Sequence, residues 1–157
     1  VKYAGGLYPG TVTYSTIGLS NEKLASPVSN KIIRQELILC SYSTFGDQNI
    51  PDILQQVGVK ALRSQIAYLR GDIIGPFGTL FEGTELVALY VTTPVYFPDS
   101  FHTYDTTNDI SIVQAWLVPI TLNEASYVKE NGWEAFEDKL EELDPDLKNY
   151  KRVCSIS

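Results

Sequence analysis

Runs of consecutive apolar residues and stretches with an apolar position every three to four residues succeed one another along this chain. Thr11 to Ile17 (TVTYSTI) is β-branched and aromatic and predicts a strand that stops at Gly18-Leu19-Ser20-Asn21. Ile32 to Tyr42 predicts a second strand. Its unbroken apolar run Leu37-Ile38-Leu39-Cys40 requires burial on both faces, hence a central strand with cover on each side. Leu86 to Thr92 (LVALYVT) reads the same way, and Ile110 to Val118 is a fourth strand closed by Pro119. Between them, Pro51 suits a helix first turn, and Ile53, Val57, Ala61, Leu62, Ile66 and Leu69 carry helical spacing to near Arg70, with Gly71 as the stop. Gly58 inside this helix costs up to ~1 kcal/mol relative to alanine, so a close packing contact is expected there.

The last third is the clearest. Thr121-Leu122-Asn123-Glu124 is a capping box that opens a helix running to Asn131, with Gly132 placed to end it. Trp133, Phe136, Leu140 and Leu143 form one apolar stripe on a second short helix, stopped at Asp144-Pro145. The remaining stretches read as connections: an irregular lead-in over 1–10, a loop to Asn30 with Ser26-Pro27, a turn over 45–50, a glycine-rich connection over 71–83 and a loop over 93–108. No repeat or linker interrupts the pattern. The expectation is one α+β domain over 1–157, with a mixed, mostly antiparallel sheet of about four or more strands covered by helices.

Composition narrows the function. A length of 157 residues fits one domain, and 44% hydrophobic residues exclude general disorder. No apolar run approaches the roughly 20 residues that span a bilayer, so no membrane partner is expected. Nor is there a basic segment followed by an apolar one that would read as a signal peptide. A net charge of −7 and a pI near 4.6 argue against a nucleic-acid partner, which needs a basic footprint. The chain has no Met and begins at Val1: either the initiator is lost or this is a piece of a longer chain. Cys40 in a strand and Cys154 in the tail are too few and too far apart for a disulfide framework, which suits a reducing cytoplasm.

Catalytic patterns are missing. Neither a phosphate-binding loop nor dinucleotide glycine spacing nor Gly-x-Ser-x-Gly occurs. His102 is the sole imidazole, and a triad would have to pair it with Ser100, Ser15 or Cys40. In its Pro- and aromatic-rich loop it reads as an exposed or packed side chain. One His and two distant Cys do not make a tetrahedral metal site. Glu36, beside Arg34, reads as a paired or surface carboxylate, and Glu82 and Glu85 as solvated. No enzyme activity, catalytic residue, cofactor or metal is therefore expected.

Charge is concentrated instead. Glu134, Glu137, Asp138, Glu141, Glu142, Asp144 and Asp146 crowd one stretch with only Lys139 among them. They are expected on the helix face opposite Trp133 and Phe136, as a solvated surface able to steer a basic protein partner. Lys148, Lys151 and Arg152 follow and are expected to offset the helix locally. Of the loop aromatics Tyr96, Phe97, Phe101 and Tyr104, most are expected to be buried and Tyr104 exposed as an interface anchor. The candidate interface residues are thus Glu134, Glu137, Asp138, Glu141 and Tyr104.

Four segments in order resemble the suppressor-of-fused (SUFU) family. Tyr14-Ser15-Thr16-Ile17-Gly18-Leu19-Ser20 is similar to its Gly-Leu-Ser signature, and Arg34-Gln35-Glu36-Leu37 to its Glu-Leu strand. The helix at 52–70 followed by Gly71-Asp72-Ile73-Ile74-Gly75-Pro76 resembles its helix and Gly-Asp turn. Ala115-Trp116-Leu117-Val118-Pro119-Ile120-Thr121, with Glu124, Gly132 and the next helix, resembles the strand–Pro-Ile-Thr–helix block of bacterial members. These span residues 14 to about 143. The resemblance implies a non-enzymatic protein-binding domain. Animal members sequester a transcription factor through a groove that involves a second domain, which this chain is expected to lack. Bacterial members are proposed to be cytoplasmic immunity proteins that neutralise a toxin, here a basic one. A regulatory interaction domain is the alternative.

Overall fold

The structure, a computed structural model, describes residues 1–5, 8–95, 97, 99–106 and 110–156. Among these residues, eight strands and four α-helices follow in the order β1 (Lys2–Ala4), β2 (Thr11–Ser15), β3 (Leu24–Ala25), β4 (Ile32–Tyr42), α1 (Ile50–Ser64), β5 (Ile73–Ile74), β6 (Leu86–Thr92), α2 (Asp99–His102), β7 (Thr103–Asp105), β8 (Ser111–Thr121), α3 (Leu122–Asn131) and α4 (Trp133–Leu143). The strands form one sheet in the order β1-β2-β4-β8-β6-β5, with β3 paired to β4 and β7 to β8 off this path. Among the described strands only β4 and β8 pair in parallel, from Arg34 opposite Ile112 to Ile38 opposite Trp116, and the other strand pairs are antiparallel. The expected mixed, mostly antiparallel α+β sheet under helices is the architecture observed.

Alternation along the central strands explains the two-sided burial. Leu37 and Leu39 of β4, with Ala115 and Leu117 of β8, face Ile50, Leu54, Val57 and Ala61 of α1. Their neighbours Ile38, Cys40, Trp116 and Val118 face the other way, onto Ala125 and Val128 of α3, Phe136 of α4 and Leu147 of the tail. Because side chains of a strand point alternately to opposite faces, consecutive apolar residues serve both layers. Gly58 of α1 is buried, but a Cβ there would lie 3.7 Å from Thr16 Cγ2, an ordinary van der Waals distance, so the close contact expected at this glycine is not found.

Several expected boundaries move. The α1 helix ends at Ser64 instead of running to Arg70, because Gln65 turns left-handed (φ 57°). The chain beyond is claimed by other partners. Ala25 N–H donates to Gln65 O at 2.8 Å and Ala67 N–H to Ala25 O at 3.0 Å, while the Gln35 amide brackets the Tyr68 backbone at 2.8 and 3.0 Å. Ile66 and Leu69 keep helical spacing by coincidence, and Ile66 is exposed. The supposed connections contain the short helix α2 and the short strands β1, β3, β5 and β7, whose backbones pair with longer strands. The fourth strand begins at Ser111 and continues through Pro119 to Thr121, with Pro119 opposite Leu89 of β6.

Glu36 and Arg34 do not pair with each other. The buried Glu36 carboxylate gathers Thr16 Oγ1 at 2.5 Å, Gly18 N–H at 2.9 Å, Ser20 N–H at 3.0 Å and Ser20 Oγ at 2.7 Å, while Arg34 donates to the carbonyls of Ser20 and Asn21. The Gly-Leu-Ser turn is thus folded around a strand carboxylate, and Gly18 supplies the positive φ of 96°. The capping box at Thr121–Glu124 is present. Arg152 is drawn away from α4 into an ion pair with Glu124, at 2.7 and 2.9 Å, and donates to Pro119 O at 3.1 Å. It therefore does not offset the charge of α4. Burial disfavours the Glu124 carboxylate, but the Arg152 guanidinium and the Ser155 and Thr121 donors outweigh it and hold its pKa at about 2.

Candidate functional site

The helix α4 lies on the sheet face formed by β6 and β8 because its stripe of Phe136, fully buried, and Leu140 packs there. Between the helix and the sheet runs a cleft of about 390 Å³. Its apolar lining comes from Val95, Trp116, Val118, Leu140, Pro145 and Leu147, and one side of its rim from Asp138, Glu141 and Asp144. Three residues advance a helix by about 4.5 Å, so these carboxylates form a ladder along one wall.

The polar end of the cleft is a closed cluster. Glu137 Oε1 accepts from Tyr90 Oη at 2.8 Å, Thr92 Oγ1 at 2.9 Å and Arg70 Nε at 3.0 Å, and the Arg70 guanidinium also pairs with its second oxygen. Arg70 stacks over the Trp133 ring, 4.9 Å from its centroid. Gly71 makes this approach possible: a Cβ there would come within 2.6 to 2.8 Å of Trp133, and its φ of 95° suits glycine. Gly71 is therefore a contact-and-turn residue and not the end of a helix. Burial raises the Tyr90 hydroxyl pKa, and the Glu137 carboxylate beside it raises it further. For Glu137 itself, burial works against the charge, but the donors from Arg70, Tyr90 and Thr92 prevail and lower its pKa.

The five candidate residues separate into three groups. Glu134, Asp138 and Glu141 are exposed on α4, as expected. Glu137 is turned inward and engaged, so the expected position opposite Trp133 and Phe136 is wrong for it. It follows Trp133 by four residues and precedes Leu140 by three, which places it on the flank of the apolar stripe. Tyr104 is exposed, at 63%, but sits on β7 opposite Ile112. That is four residues, about 13 Å, along β8 from the cleft's Trp116. It is not part of the same site. Asp144 caps the end of α4 and Asp146 lies beyond it, accepting from Tyr42 Oη at 2.6 Å and pairing with Lys148 at 3.2 Å. Arg70 on one side, and Tyr90, Thr92 and Val95 on the other, reach the cleft from two segments 20 residues apart and carry no shared spacing with α4.

Among the loop aromatics, Phe97 is buried and stacks on Phe101 at 4.6 Å, while Phe101 is 36% exposed. Tyr96 lies outside the described residues. The His102 ring places Nε2 3.1 Å from Pro94 O and Nδ1 4.0 Å from Asp99 Oδ1. Ser15 donates to Thr16 O, and Cys40 is buried in β4, where Thr13 Oγ1 lies 3.8 Å from its sulfur. Among the described residues no cluster of three His, Cys, Asp or Glu could hold a metal ion, and no helix is long and apolar enough to cross a membrane.

Similarities to known proteins agree with this architecture. The family model "Suppressor of fused protein (SUFU)" matches residues 3–153. No curated protein matches the sequence. In fold, the chain is similar to a SUFU homolog from Neisseria gonorrhoeae, with TM-score 0.73 and 17% identity over 95% of this chain and 72% of that one. It is also similar to a chain of the Sufu–Fu complex, with TM-score 0.71 and 15% identity over 94% of this chain and 74% of that one. With Drosophila Suppressor of Fused the TM-score is 0.68 and the identity 15%, over 94% of this chain and only 41% of that one. The family match over nearly the whole chain, on a sheet whose Gly-Leu-Ser turn and strand–Pro-Ile-Thr–helix block are structural determinants, places this chain in the suppressor of fused (SUFU) protein family.

Proposed function

We propose that this protein is a non-enzymatic, stoichiometric binder of another protein, and that it acts in the manner of a bacterial immunity protein, neutralising a basic toxin in the cytoplasm. The observation that carries the reading is the exposed carboxylate row of α4 (Glu134, Asp138 and Glu141), set beside an apolar cleft. Such a surface repels acidic partners and speeds encounter with basic ones. Family membership supports protein binding, since one structural relative is seen in a complex with Fu. The engaged, inward Glu137 and the placement of His102 against a backbone carbonyl favour binding over catalysis. Both cysteines are free, as a reducing cytoplasm would leave them.

Capture from the native host lysate, with mass spectrometry of what co-purifies, identifies the partner. Expression of that partner in a test host then decides its nature. The immunity reading expects it to arrest growth and expects co-expression of this protein to restore growth by forming a one-to-one complex. A harmless signalling or transcriptional partner would overturn the toxin assignment in favour of the regulatory alternative, which the Sufu–Fu relative makes the specific second reading. Cell fractionation tests the compartment.

A further inference from the structure

The cleft beneath α4 is lopsided. Its depth is apolar, from Trp116, Val118, Leu140 and Leu147, and its helix-side rim is a ladder of exposed carboxylates at Asp138, Glu141 and Asp144. Val95, also in the lining, is 57% exposed, a large apolar side chain left in solvent. Among the described residues lining the cleft the only cation is Arg70, and its charge is already committed to Glu137 and the Trp133 ring. The negative rim is therefore uncompensated from within. A volume of about 390 Å³ lies toward the small end of ligand-binding clefts, enough for one or two anchoring side chains but not for a whole helix.

From this we infer that the cleft seats a segment of the partner protein in which an apolar anchor residue is flanked by lysine or arginine. The anchor enters between Val95 and Leu140, and the flanking cations lie along the Asp138–Glu141–Asp144 ladder. The Arg70–Glu137–Tyr90–Thr92 cluster closes the far end, fixing the position of α4 and hence the width of the cleft. Charge complementarity selects the partner and apolar burial anchors it, the division of labour seen in specific interfaces. The inference rests on the protein-binding reading but not on the partner's being a toxin.

A phage-displayed library of random peptides, selected on the intact protein, tests it. The selected sequences are expected to share an apolar residue flanked by Lys or Arg. Synthetic versions should bind about tenfold or more weakly to V95E, which blocks the mouth, and to E141K, which breaks the ladder. Both positions are exposed, so unchanged thermal unfolding is expected to show that the variants are folded. The inference is overturned by no enrichment, by peptides that lack either the apolar or the basic element, or by selected peptides that bind V95E as tightly as the parent. Failure here combined with growth rescue in the toxin assay leaves the immunity role standing without the cleft. Success here without rescue leaves the cleft and removes the immunity role.

Discussion

Removing the guanidinium of Arg152 strands the Glu124 carboxylate in a place that no solvent reaches. Breaking such a buried pair from one side costs about 3–5 kcal/mol, so R152M is expected to lose stability of that order in denaturant unfolding. The pair also sets an acid limit. The folded pKa of Glu124, about 2, lies below its ordinary value of 4.5, so its contribution is complete above pH 4.5 and is lost as pH falls towards 2. That loss should be measurable in the parent and absent in R152M. Gly71 makes a second residue-scale prediction. G71A drives a Cβ into Trp133 at a positive φ, and is expected to cost about 1–3 kcal/mol and to shift tryptophan fluorescence. Little of this chemistry is legible in a string of letters. Glu124 is readable as a helix cap, but its buried cation lies 28 residues away. Glu137 reads as one more acid in a row of acids, although its place on the flank of Trp133 and Leu140 was the available hint.

At the scale of elements, periodicity served where an element is long and buried and failed where it is short. The strands β4 and β6 have the bounds their apolar runs imply, because both faces of each are covered. Strands of two or three residues, such as β3, β5 and β7, exist through backbone pairing with longer neighbours and impose almost no side-chain pattern. The overlong reading of α1 has the same origin: Ile66 and Leu69 match helical spacing, but the Ala25 backbone and the Gln35 amide offer competing hydrogen bonds. A substitution separates the two descriptions of this helix. With Gln65 left-handed at the C-cap, Q65G should stabilise the protein by about 0.5–1 kcal/mol in thermal or denaturant unfolding, since glycine relieves the left-handed penalty. Were the helix continuous through this position, the same change would cost about 1 kcal/mol.

At the scale of the whole molecule, the sheet sorts its cover by chemistry. One face carries α1, whose exposed side includes Lys60 and Arg63. The other carries α3 and α4, with the acidic row and the cleft. The architecture and the acidic surface were readable in advance from alternation, charge clustering and resemblance. The cleft was not, since its lining is assembled from residues between Arg70 and Leu147 by the sheet order alone. The role proposed for this acidic face is to bind a basic protein partner. The most direct measurement is calorimetric titration of the captured partner, at low and high salt, into the parent and into a variant combining E134K, D138K and E141K. Glu137 is left intact because it holds Arg70. The variant is expected to bind about tenfold or more weakly and with a flattened dependence on salt. Equal affinity and equal salt dependence in the two proteins would contradict that role.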